Sequence, residues 1–72
     1  MTDEVLDCRG QRCPLPVIAL ARRMTEVPAG TVVRLLADDP AAAVEVPAWC
    51  RMRAQDYLGS PAPDTYEVRR RS

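Results

Sequence analysis

The sequence predicts an α/β (α+β) fold: a two-layer sandwich in the order β-α-β-α-β-β, with two helices on one face of a mixed four-stranded sheet. Three observations predict it. The chain has 72 residues, enough for one domain, so residues 1–72 read as a single unit. Segments of helical spacing alternate with short runs rich in Val and Leu, and turn signals fall between them. A strand, a helix and a strand in succession favour a right-handed crossover with the strands parallel, and both helices then cover the same face.

Each element has its own warrant. Glu4 to Cys8, with Val5 and Leu6, reads as the first strand, and Arg9-Gly10-Gln11-Arg12 as a polar loop. Pro14 to about Val27 reads as a helix, because Val17, Leu20, Ala21, Met24 and Val27 form an apolar stripe that Ile18 widens. Pro14 and Pro16 are tolerated in its first turn, where amides have no intrahelical partner. Pro28-Ala29-Gly30 ends it. Thr31 to Ala37 reads as a half-buried strand, with Val33, Leu35 and Ala37 on the core side and Arg34 on the other. Asp38-Asp39-Pro40 reads as an acidic cap followed by Pro at the first helical position. The second helix should run to about Arg53, with Ala43, Val46, Trp49 and Cys50 inward and Pro47 kinking or splitting it. Gln55 to Gly59 and Thr65 to Arg70 read as a last pair of strands joined by a loop over residues 60–64.

Composition removes several functions. Ten basic and ten acidic residues cancel, which disfavours direct nucleic-acid binding. No run approaches the ~20 apolar residues of a membrane span. The acidic start Met1-Thr2-Asp3-Glu4 is unlike a signal peptide. A cytoplasmic protein with reduced thiols is expected, and the odd count of three Cys suggests no disulfide framework. There is no His, so Ser-His-Asp and Cys-His-Asn arrangements are excluded within the chain. All ten basic residues are Arg, so Schiff-base lysines and Walker-type loops are absent too. A domain this small has no room for a buried cofactor pocket beside its core. No cofactor is expected, and the cysteine spacing suggests no metal.

What remains points to Cys13-Pro14-Leu15-Pro16. Cys13 stands where a loop meets a helix start, a place where unpaired amides and the helix dipole favour an anion. A dipole contribution of ~1 kcal/mol would bring the thiol from ~8.5 to ~7.5–8, a useful range for thiol exchange. The missing His fits this reading. Attack of a thiolate on a persulfide sulfur expels another thiolate and needs no acid–base partner. The two prolines should hold the first turn rigid and the thiol outward, with Gly10 and Arg12 shaping the loop. Alone, the motif leaves a structural cysteine as an alternative.

The stretch Leu6-Asp7-Cys8-Arg9-Gly10-Gln11-Arg12-Cys13-Pro14-Leu15-Pro16 resembles the signature of the TusA/SirA family of sulfur-transfer proteins. Ala37-Asp38-Asp39-Pro40 through Val46-Pro47-Ala48-Trp49-Cys50 resembles that family's second-helix block, at a family-like separation. The resemblance implies a β-α-β-α-β-β sandwich similar to the C-terminal domain of a bacterial translation initiation factor. It implies a persulfide on Cys13, received from a cysteine desulfurase or a rhodanese-type donor. It implies delivery to a downstream sulfur-acceptor protein, toward tRNA thiolation, molybdenum-cofactor synthesis or sulfur oxidation. Leu15 stands where the best-known tRNA-thiolation members have Glu, and Ala54-Gln55-Asp56 stand where a His is often found. Both departures leave the pathway open.

The reading is therefore a sulfur carrier acting as a relay, expected to be a monomer, with Cys13 as acceptor and donor thiol. The supporting motif is Gly10, Arg12, Pro14 and Pro16. The alternative is a non-catalytic protein-binding or regulatory module using the sheet face or the Arg69-Arg70-Arg71 tail; a thiol switch between Cys8 and Cys13 is a third. Cys8 reads as a small residue at a strand end, Cys50 as a core thiol, and Asp38 with Asp39 as a helix cap rather than a carboxylate pair. Arg9 and Arg12 read equally well as solvated charges or as a greeting for an acidic partner surface.

Overall fold

A computed structural model describes residues 2–71. Its elements follow the expected order: strand β1 (Glu4–Asp7), helix α1 (Leu15–Met24), strand β2 (Val32–Leu36), helix α2 (Ala42–Met52), strand β3 (Asp56–Ala62) and strand β4 (Thr65–Arg69). The sheet runs in the order β1-β2-β4-β3. β1 and β2 are parallel, and β2–β4 and β4–β3 are antiparallel.

Period-two alternation sorts the strands' faces. Val33 pairs with Val68 and Leu35 with Tyr66, and all four side chains are buried. Leu20, Met24 and Val27 meet them from the α1 side, and Ala42, Val46, Trp49 and Cys50 from α2. On the other face Arg34 lies opposite Glu67 and donates to its carboxylate at 3.0 Å. Leu35, Val33, Leu20, Val46 and Val68 have no measurable exposure, so this one cluster supplies the hydrophobic stabilisation that a chain of this size can muster.

Several boundaries differ from the sequence reading. α1 stops at Met24, because Thr25 and Glu26 donate to Arg22 and Arg23, three residues back, and the last turn tightens. Ile18 does not widen the buried stripe; it is half exposed, like Leu15. α2 starts later than expected. Ala42, Ala43 and Val44 donate to Asp39, Pro40 and Ala41, again three residues back, so Pro40 and Ala41 form a turn ahead of the helix. Val46, Trp49 and Cys50 face the core as expected, and Ala42 rather than Ala43 joins them there. Pro47 does not split α2, which is continuous over Ala42–Met52. The acceptor that Pro47 leaves open belongs to Ala43, an exposed residue whose carbonyl water can reach.

The expected loop over residues 60–64 is mostly strand. β3 continues to Ala62, and only Pro63 and Asp64 make the turn, with Asp64 at a φ of 58°. Pro61 fits because β3 is an edge strand, with register shifts between Tyr57 and Gly59 and between Gly59 and Ala62. The arginine run is not a free tail. Arg69 and Arg71 pair with Asp56 at 3.0 and 3.2 Å, and Arg70 donates to the Val27 carbonyl at 2.6 Å. No helix among the described residues is long and apolar enough to cross a membrane.

Candidate functional site

Parallel pairing of β1 and β2 sets the site. The segments that leave these strands emerge side by side at one edge of the sheet, each leading into a helix. The first segment carries Cys13 and the second carries Asp38 and Asp39. Cys8 extends the pairing by one bond, donating to the Leu36 carbonyl at 2.7 Å. The chain then turns. Gln11 donates to Cys8, and Gly10 takes a φ of 85°, a left-handed conformation that glycine adopts without penalty.

The two aspartates hold this loop down. Gly10 N donates to Asp38 Oδ1 at 2.9 Å, and Cys13 N donates to Asp39 Oδ2 at 3.1 Å. The other Asp39 oxygen accepts from Ala41 N at 2.9 Å. These two amides hold the Asp39 carboxyl below its usual range, with Arg12 adding a smaller attraction. The cap expected of Asp39 therefore exists in another form, joining the turn before α2 to the backbone of Cys13. Leu15 N donates to the Arg12 carbonyl and Ile18 N to the Pro14 carbonyl, which winds the chain into α1. The Cys13–Pro14 peptide bond is cis. Pro16 is buried under the first turn, and Pro14 is exposed at the cap.

Cys13 is half-buried, whereas Cys8 and Cys50 are buried. Burial pushes both of those thiols up, Cys50 to about 11, as befits inert core residues. The acidified Cys13 expected from the sequence is not found. Its thiol is pushed up to about 11 by desolvation, then by the Glu45 carboxylate and more weakly by Asp39. The helix start explains the difference. Pro14 and Pro16 have no N–H, and the amides of Cys13, Leu15 and Ile18 already have acceptors. Few donors remain to stabilise a thiolate there, and the nearest charges on α2 and before it are negative. Arg9 offers no help, since it forks onto Asp7 at 2.8 and 3.0 Å and lowers that carboxyl to about 2.

The structure thus brings Cys13, Gly10, Arg12, Pro14 and Pro16 to one edge, as the motif required. It adds Asp38, Asp39 and Glu45, which sequence reasoning did not assign. The parallel β1–β2 pairing was the available signal for the aspartates, because it places the two strand exits together. Beside the thiol, a groove of about 350 Å³ runs between the helices, lined by Val17, Val44, Glu45, Ala48, Trp49 and Met52. Val44 and Met52 are 73% and 75% exposed. No group of three or more candidate metal-ligating side chains occurs among the described residues.

The fold and the site define a small α+β protein that presents one accessible thiol at the entry to its first helix, with its other thiols in the core. The model of the family described as "Sulfurtransferase TusA" matches residues 4–71. Sulfur carrier protein TusA of Buchnera aphidicola subsp. Baizongia pistaciae (strain Bp) is 35% identical over 63 residues, covering 88% of this chain and 80% of that protein. YrkF of Bacillus subtilis (strain 168), a candidate sulfur carrier, is 34% identical over 58 residues; the match covers 81% of this chain but only 31% of YrkF. The crystal structure of a SirA-like protein from Desulfitobacterium hafniense superposes with a TM-score of 0.69 at 28% identity, covering 92% of each chain. The chain belongs to the TusA sulfurtransferase family. Its role is that of a sulfur carrier, which implies a sulfur donor and a sulfur acceptor, and the binding-module alternative is not favoured.

Proposed function

We propose that Cys13 is the residue that carries the sulfur, as a persulfide received from a cysteine desulfurase or rhodanese-type protein and passed to an acceptor protein in the cytoplasm. The observation that carries this reading is the contrast among the three thiols: Cys13 is reachable, and Cys8 and Cys50 are buried. In the loading step the Cys13 sulfur attacks the terminal sulfur of the donor's persulfide. One S–S bond forms, the donor's S–S bond breaks, and the donor thiolate departs with the electron pair. The proton displaced from Cys13 ends on that thiolate or in solvent. No net oxidation occurs, and delivery is the same exchange in reverse roles.

The raised Cys13 pKa bears on selectivity. At neutral pH the thiol is protonated, so it reacts slowly with stray electrophiles. A donor that brings positive charge against Glu45 and Asp39 as it docks around the Cys13 edge would relieve the repulsion and release the thiolate. Gly10, Arg12, Pro14 and Pro16 serve by fixing the loop, with Asp38 and Asp39 as its anchors. The test is loading by a desulfurase and cysteine, read by intact mass. The Cys50→Ser protein should gain one sulfur atom and the Cys13→Ser protein none. Normal loading of Cys13→Ser would remove Cys13 from the role.

A further inference from the structure

One cleft of the molecule lies away from Cys13, which is not among its lining residues. It measures about 550 Å³, within the range of small-molecule sites. Its apolar side is made by Ala21, Met24 and Trp49, and its polar side by Arg22, Arg53 and Arg70 with Thr25 and Gln55. It lies at the C-terminal ends of α1 and α2. The stretch of α1 from Leu15 to Ala21, a rise of roughly 9 Å at 1.5 Å per residue, stands between it and the Cys13 end of the helix.

Three arginines line this cleft from three places: the last turn of α1, the residue after α2 and the residue after β4. Among the described residues no Asp or Glu lines it. Arg9, Arg23, Arg34, Arg69 and Arg71 all pair with acidic side chains. The guanidinium groups of Arg22 and Arg53 have no such partner among the described residues. Arg70 is held in place by its bond to the Val27 carbonyl.

A helix C-terminus ordinarily repels an anion through its open carbonyls. Here five of those carbonyls are occupied. Arg22 O accepts from Thr25, Arg23 O from Glu26, Trp49 O from Arg53, Cys50 O from Gln55 and Arg51 O from Ala54. The cleft therefore presents donors and an apolar wall with little opposing charge. Guanidinium forks match the oxygen geometry of a phosphate, and the apolar wall suits a body larger than phosphate itself.

We propose that this cleft binds a small organic phosphate, with the phosphate on Arg22 and Arg53 and the organic body against Trp49. Trp49 is the only tryptophan; it also borders the groove between the helices, so its fluorescence reports binding and the arginine variants assign it to this cleft. Titrating the full chain with phenyl phosphate should give a saturable change in Trp49 emission. Arg53→Ala and Arg22→Ala should each weaken binding about tenfold or more, as expected for loss of a charged hydrogen-bonding partner. Arg51→Ala removes the same charge from an exposed residue outside the cleft and should leave the affinity unchanged. Inorganic phosphate should bind more weakly than phenyl phosphate. The proposal is overturned if no saturable change occurs, if Arg51→Ala weakens binding as much as Arg53→Ala, or if inorganic phosphate binds equally well. Cys13→Ser should bind like the unaltered chain, so this result stands apart from the sulfur-loading test.

Discussion

Replacing Glu45 with Gln should make Cys13 more acidic and more reactive. The carboxylate acts on the thiol in two ways, as a hydrogen-bonding partner of the neutral form and as a like charge beside the thiolate. Gln keeps an acceptor oxygen and removes the charge. Two unit charges ~4 Å apart interact by about 1 kcal/mol in bulk water and about 4 kcal/mol at an effective dielectric of 20. Glu45 is exposed and Cys13 half-buried, so solvent screening selects the lower end of that range. About 1 to 1.5 kcal/mol corresponds to roughly one pKa unit. Below its pKa the thiolate fraction would rise about tenfold. The weaker intrinsic nucleophilicity of a more acidic thiol takes back about half of that gain on a logarithmic scale, which leaves a rate increase of about threefold. The assay is alkylation by iodoacetamide from pH 7 to about 12.5, followed on the peptide that contains Cys13. The unaltered chain should show its midpoint at about 11 and the Gln variant about one unit lower. A midpoint that stays put, or rises, would refute the assignment of Glu45 as a source of the raised value.

Other outcomes follow from the same contacts. Asp39→Ala removes the acceptor for both Cys13 N and Ala41 N, so the Cys13 amide should exchange with deuterium faster while amides in β2 keep their protection. Leu35→Ala empties a fully buried position at the centre of the sheet and should cost about 2–5 kcal/mol in urea unfolding; a loss below 1 kcal/mol would contradict the packing described. The fold lowers the carboxyl values of Asp7, Asp39 and Glu67. Their stabilisation is complete above the unfolded values of 3.8 and 4.5 and is lost as pH falls through the folded ones, Asp7's being about 2. The fold raises Cys8, Cys13 and Cys50, so their contribution is complete below 9.0 and is lost as pH climbs through the folded values, about 11 for Cys13 and Cys50. Urea midpoints measured from pH 2 to 11 should decline at both ends, and a flat profile would count against these environments.

Most of the architecture was legible because each element carries a strong local pattern. Val33, Leu35 and Ala37 alternate on a strand, and Leu20, Met24 and Val27 recur at helical spacing; every one of them is buried where that pattern put it. Element ends were less legible, since they depend on hydrogen bonds only a fold supplies. The Asp39 carboxylate is used by a turn and by Cys13, which delays α2 until Ala42. An edge position lets β3 run through Pro61. The electrostatics of Cys13 were the least legible part. A helix start looks favourable to an anion when read along the chain, but the prolines remove its donors and Glu45 arrives from another helix. Position 13 could be picked out from its motif, whereas its pKa belongs to residues 26 and 32 positions away.

The account depends on sulfur residing at Cys13, and trypsin makes that directly measurable. Cleavage after arginine puts Cys8, Cys13 and Cys50 on three separate peptides, residues 1–9, 13–22 and 35–51. The chain would be loaded by a desulfurase and cysteine, capped with iodoacetamide and mapped by tandem mass spectrometry. The account predicts one additional sulfur on the 13–22 peptide and none on the other two. Additional sulfur on the 1–9 or 35–51 peptide, with the 13–22 peptide unchanged, would contradict it.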